Sequence, residues 1–171
     1  GWCSASSTAN TDISEDPKSY SFDCSIARKW HITSESFGKV CTIGDVIGVM
    51  IDFQDKNISF SLNGEFLIDT VGSEIAFENI IIEEEGFIPA FTLYNGQRIR
   101  VNFGQDVNSL RYFTNCGLQE GYEPFAVNMT KPITFWYSYQ IPTIQHIDES
   151  NESLEIINTK LVFIFFLIDI Y

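Results

Sequence analysis

The sequence predicts an all-β domain, an antiparallel β-sandwich, on three observations. Short apolar or alternating runs recur with turn residues between them, Asn63-Gly64 marks a tight hairpin, and helix signals are scarce. Composition agrees. Of 171 residues, 44% are hydrophobic and 15% aromatic, enough for one ordinary core plus a tail.

The elements follow in chain order. Thr8 to Ser19 carries Asn10, Asp12, Asp16 and Pro17 and reads as a loop. Tyr20 to Arg28 opens with the alternation Tyr20-Ser21-Phe22-Asp23, a strand with one buried face. Val46 to Phe53 is a continuous apolar run with β-branched residues, introduced by the turn pair Gly44-Asp45. Gln54 to Asn57 is a polar turn, and Ile58-Ser59-Phe60-Ser61-Leu62 alternates. Asn63 and Gly64 both tolerate positive φ, so Glu65 to Ile68 is expected to return as the third strand of a meander. Glu83-Glu84-Glu85-Gly86 is a charged loop tip. Phe87 to Leu93 and Ile99 to Phe103 read as two further strands around Tyr94-Asn95-Gly96-Gln97. Asp106 to Phe113 is expected to form one or two helical turns, with Asp106 as N-cap and Val107, Leu110 and Phe113 on one face.

Beyond about residue 117 the signal weakens. Pro124, Pro132 and Pro142 fit an extended arm packing on the sandwich or leading to a next domain, and Asp148 to Glu155 is polar enough for a linker. The apolar run Leu161 to Ile168 is shorter than the roughly 18–20 residues a membrane helix needs. It reads as a buried strand, the truncated start of a membrane segment, or sequence foreign to the domain. The expected division is therefore a partial sandwich over 1–105, an arm over 106–147, and an acidic linker with an apolar tail of uncertain origin over 148–171. The chain opens Gly1-Trp2-Cys3 without Met or signal peptide, and reads as an internal excerpt.

Charge narrows the function. With 23 acidic against 10 basic residues, the net charge is -13. Such a surface repels phosphate backbones and anionic membranes. Cys3, Cys24, Cys41 and Cys116 form no C-x-x-C pair, and His31 and His146 lie far apart, so zinc spacing is lacking. The thiols read as ordinary buried or half-exposed cysteines, although two disulfides are formally allowed.

Catalytic patterns are not found. No G-x-S-x-G elbow is present, and His31 beside Trp30 reads as a surface or packing residue rather than a base. Asp52, Asp55, Glu65 and Asp69 sit in or near hairpin turns, where carboxylates are ordinarily solvated. The segment Asp52 to Asn57 lacks the Gly and Glu of a calcium loop, and no glycine-rich phosphate cradle occurs. Sequons at Asn57, Asn128 and Asn151 matter only for a chain that enters the secretory lumen. Expected catalytic, cofactor-binding and metal-ligating residues are thus none. The candidate protein-contact residues are Trp30, Tyr94, Glu83, Glu84 and Glu85, with Phe37, Tyr112 and Trp136 as further aromatics for a groove or a core.

A family likeness is carried by Trp30, Gly38-Lys39, Gly44-Asp45-Val46-Ile47-Gly48, Asp52, Ile58 to Gly64, Phe87-Ile88-Pro89-Ala90 and Asn102-Phe103-Gly104. This ordered series resembles a SPRY domain, whose fold is a concanavalin-like β-sandwich. Asp106 to Arg111 and Tyr112 to Asn128 resemble the segment after the second SPRY domain of ryanodine receptors, and Ile47 to Asp52 is similar to invertebrate members. The likeness covers about residues 1 to 140. It implies a non-catalytic scaffold segment of a homotetrameric calcium-release channel, on the cytosolic face of the sarcoplasmic or endoplasmic reticulum. Its partners would be other domains of the same channel and regulatory proteins, with the pore elsewhere. The rival readings are a free-standing SPRY adaptor that binds peptides for a ubiquitin ligase, and an enzyme or lectin on a similar sandwich. Departures from the pattern fall at Cys41, where Trp is usual, near Cys24, where Gly is usual, at Tyr94-Asn95, and at Glu83 to Glu85. The opening strands of the pattern are missing, so exposed strand edges are expected.

Overall fold

The Asn63-Gly64 turn closes a hairpin of the larger of two sheets. Both residues adopt positive φ, 50° and 90°, as a tight hairpin turn demands. The structure, a computed structural model, describes residues 1–5, 7, 13, 16–83, 86–104, 109–112, 122–124 and 163–171. Among them run β1 (Trp2–Ser4), β2 (Ser19–Asp23), β3 (Arg28–His31), β4 (Thr33–Ser36), β5 (Val46–Asp52) and β6 (Asn57–Leu62). Then follow β7 (Glu65–Phe66), β8 (Ile75–Phe77), β9 (Phe87–Pro89), β10 (Ile99–Asn102), β11 (Tyr122–Pro124) and β12 (Phe163–Ile170).

Two sheets result, matching the expected sandwich. One has the order β4-β3-β2-β1-β9; the other runs β10-β12-β5-β6-β7, with β8 on β6 and β11 on β12. The meander is present as predicted: β5 pairs β6 from Ile47↔Leu62 to Asp52↔Asn57, and β7 returns on β6. The turn after β5 is pinned by Asp52, whose Oδ1 accepts the backbone N–H groups of Gln54 at 2.8 Å and Asp55 at 2.9 Å. Around the Asn63 turn, Asn63 Oδ1 accepts from the Val46 N–H, and Asn63 Nδ2 donates to Asp45.

The main core lies between the sheets, built from Trp2, Tyr20, Phe37, Ile47, Val49, Ile51, Ile58, Phe60 and their neighbours. β5 is buried along its whole length. Its Ile47, Val49 and Ile51 enter this core, while Val46 and Met50 pack with Leu110, Phe66 and Tyr122 on the opposite face. Burial on both faces explains why the run is continuously apolar instead of alternating.

Two expectations change. The single strand read over Tyr20 to Arg28 is two, β2 and β3. Asp23 Oδ1 accepts from the N–H and hydroxyl of Ser25, and Ala27 takes φ 54°, so the chain reverses there. The strand read over Phe87 to Leu93 stops at Pro89. β9 pairs only with β1, and that ladder ends where Gly1 and Ala90 exchange backbone hydrogen bonds. Of the three readings of the terminal apolar run, the strand is the one present: β12 pairs β5 from Phe163↔Asp52 to Asp169↔Val46, and β10 from Ile99↔Ile170 to Asn102↔Leu167. It therefore covers the edge of β5 that faces away from β6. The helical turns expected over Asp106 to Phe113 fall largely outside the described residues, as does most of the arm; Leu110 itself is buried.

Candidate functional site

Where β9 ends early, the chain from Ala90 to Arg98 leaves the sheet and forms one rim of a groove of about 650 Å³. The groove floor is apolar: Phe22 and Trp30 come from the first sheet, and Ile47, Ile99, Ile168 and Ile170 from the second. The rim is fixed by its own turn. Gln97 Oε1 accepts from the Tyr94 N–H at 2.9 Å, the Gln97 N–H returns to the Tyr94 carbonyl at 3.0 Å, and Gly96 takes φ 90°. That turn holds Tyr94 out at its tip, 68% exposed, beside Phe91 at 38% and Leu93 at 47%. Ile43, on the opposite lip, is 81% exposed. Apolar side chains so presented mark a contact surface more often than isolated exposed ones do.

Trp30 and Tyr94, singled out separately by the sequence, both line this one groove. Trp30 is half-buried, and its indole N–H is buried without a hydrogen-bond partner among the described residues. Glu83 stands elsewhere. It accepts a hydrogen bond from the Ser4 hydroxyl at 2.6 Å and pairs with Lys18 at 3.0 Å, which ties the loop tip to β1 and the approach to β2. Glu84, Glu85 and Trp136 lie outside the described residues. Phe37 is core, and Tyr112 is partly exposed at a positive φ of 59°.

Three further titratable groups make structural contacts. His31 stacks on Tyr20 with ring centroids 4.3 Å apart, and its Nδ1 lies 2.8 Å from the Ser19 carbonyl oxygen, so that nitrogen carries the proton and donates. Burial pushes the Asp52 carboxyl up, against the two backbone N–H groups it accepts. The Asn63 amide, then the Thr42 backbone N–H, hold Asp45 below the usual carboxylate range. Among the described residues no group of three or more His, Cys, Asp and Glu is placed to hold a metal ion, and no helix is long and apolar enough to cross a membrane.

Sequence reasoning missed Phe91, Leu93 and Ile43 as groove residues. Pro89 was the available signal, since proline donates nothing to a ladder and ends or edges a strand.

An antiparallel sandwich with an apolar groove beside an aromatic rim defines a class of domain, a β-sandwich of the kind that displays contact surfaces. The model of the SPRY domain family matches residues 1–106, and the chain belongs to that family. SPRY domains are generally protein-interaction modules. Among curated proteins, the E3 ubiquitin-protein ligase RKP of Arabidopsis thaliana is 32% identical over 108 residues, which is 61% of this chain and 8% of the relative. The chain thus spans only about 8% of the length of the curated relative it matches.

Proposed function

We propose that this chain is a non-catalytic protein-interaction segment whose groove between Trp30 and Tyr94 receives an extended apolar stretch of a partner. The observation that carries the reading is the rim at 90–98, which presents Phe91, Leu93 and Tyr94 over an apolar floor. Aromatic side chains at the centre of a contact supply most of its binding energy. The net charge of -13 favours partners with basic residues flanking the apolar stretch.

Within its parent protein, the segment acts as cytosolic scaffold of a ryanodine-receptor-type calcium-release channel at the endoplasmic or sarcoplasmic reticulum. Support for this finer reading is the likeness of residues 106–128 to the stretch that follows the second SPRY domain of such channels. A second reading, a SPRY adaptor serving a ubiquitin ligase, is favoured by the plant ligase relative.

Peptides selected from a display library against the full chain test the groove. Tyr94→Ala is expected to weaken the selected peptides at least about tenfold, the level of a modest hot spot, with the unfolding midpoint unchanged. Equal binding by wild type and Tyr94→Ala would sink the proposal. The parent protein is tested by sequencing the full transcript. A frame running on into a cluster of membrane helices supports the channel, and a flanking RING, B-box or SOCS-box segment supports the adaptor.

A further inference from the structure

Two of the positions at which this chain departs from the SPRY pattern meet in space. Cys24 follows β2 directly, and Cys41 lies in the segment that leads into β5. The Cys41 N–H donates to the Cys24 carbonyl at 2.9 Å. A direct main-chain bond of this kind leaves the two α-carbons within the roughly 4.4–6.8 Å over which a disulfide closes. Both side chains are half-buried and pack against the same core cluster, and both thiols are free. The Cys41 thiol donates to the Lys39 carbonyl at 3.9 Å, within its own segment.

We propose that Cys24 and Cys41 form a reversible redox pair, which closes to a disulfide on exchange with a low-molecular-weight disulfide such as oxidised glutathione. The closeness of the two thiols sets the order of events. The neighbouring Cys41 thiol lowers the Cys24 pKa, while Cys24, then burial, raises that of Cys41. Cys24 is therefore the thiolate that attacks. Its sulfur forms a bond to one sulfur of the oxidised glutathione and expels the first glutathione thiolate. In this mixed disulfide the charge on Cys24, which helped retain the Cys41 proton, is gone. Cys41 then gives up its proton to solvent, attacks the Cys24 sulfur and expels the second glutathione. Two protein thiols are oxidised, and one glutathione disulfide is reduced to two thiols.

The bond would link the end of β2 to the turn at Thr42-Gly44, next to the groove that Cys24 and Ile43 line. The pair goes beyond the interaction reading and does not depend on it, since its test reads thiols and not partner binding. Among the described cysteines, Cys3 is the internal control: it is buried, and burial first, then the Asp16 carboxylate, raise its pKa, so it reacts slowly.

The test equilibrates the native full chain in oxidised and reduced glutathione, blocks free thiols with an alkylating reagent, and maps the peptides by mass. The expected result is a peptide pair joined through Cys24 and Cys41 and short by two hydrogen atoms, with Cys3 alkylated. The Cys41→Ser variant should instead hold glutathione on Cys24. Recovery of Cys24 and Cys41 as separate alkylated or glutathionylated residues, under excess oxidised glutathione, would overturn the proposal. Glutathione on Cys3 before Cys24 in Cys41→Ser would overturn the assignment of Cys24 as the attacking thiol.

Discussion

Replacing Ile168 by Ala asks whether the terminal strand belongs to the folding unit. Ile168 lies in β12, opposite Ile47 of β5 and Val101 of β10, and is only 8% exposed. The change removes three carbons from the core, worth about 2.4 kcal/mol at ~0.8 kcal/mol per buried methylene. A cavity term adds to this, but it is small here because Ile168 also lines the groove, so solvent reaches the gap. Loss of the branched side chain from a strand adds a few tenths more. The sum is about 3 kcal/mol. For a domain of this size, with a urea slope near 2 kcal/mol/M, the unfolding midpoint should fall by roughly 1.5 M at unchanged slope. Equilibrium urea unfolding followed by tryptophan fluorescence reads this directly, since Trp2 lies in the same core. Ile43→Ala is the control: at 81% exposure it should shift stability by no more than about 0.5 kcal/mol. A midpoint for Ile168→Ala within about 0.2 M of wild type, against that slope, would refute the placement of β12 between β5 and β10.

Two further substitutions test local geometry. At Gly38, φ is +70° and an added Cβ would lie 2.9 Å from Leu67 Cδ1, itself core, so Gly38→Ala should cost about 2–4 kcal/mol in the same assay. Wild-type stability there would mean that Leu67 has room to move. Asp52→Asn should stabilise the protein near neutral pH. Burial raises the folded-state pKa of Asp52, so its favourable contribution is present below the ordinary carboxylate range and lost as pH rises through the folded value. The amide keeps an oxygen to accept the Gln54 and Asp55 N–H groups without the buried charge. The gain over wild type should shrink as the medium is acidified, and a variant less stable than wild type at neutral pH would refute the burial account.

Much of the fold was legible because its signals are local. Gly44-Asp45, Gln54 to Asn57 and Asn63-Gly64 are turn chemistry read directly off the chain, and period-two alternation over Ile58 to Leu62 fixes which side chains face the core. The errors occur where a partner decides. Within Phe87 to Leu93 only Pro89 hints at a strand end, and the end itself is set by the partner β1, so Phe91 and Leu93 of the groove rim are missed. The run ending at Ile168 pairs with β5 and β10, neighbours more than sixty residues away in sequence, and length alone could not choose among its readings. Trp30 and Tyr94 were recognisable as candidates by residue type. That they share a groove is a property of sheet order, which no spacing encodes.

The same terminal strand couples stability to the site. Ile168 and Ile170 form part of the groove floor, and the C-terminal end of β12 is held by the lips. The Gly44 N–H donates to the Ile170 carbonyl, the Ile170 N–H to the Asp45 carbonyl, and the Tyr171 N–H to the Arg98 carbonyl of the rim. Undocking β12 therefore removes part of the floor and loosens both lips together. A partner that fills the groove binds only the state in which β12 is seated, so by mass action it stabilises that strand. The reverse also holds: weakening β12 lowers apparent affinity by the fraction of molecules in which it is undocked. Core packing at Ile168 and the recognition proposed at Tyr94 thus draw on one equilibrium, although no side chain needs to pass a signal between them.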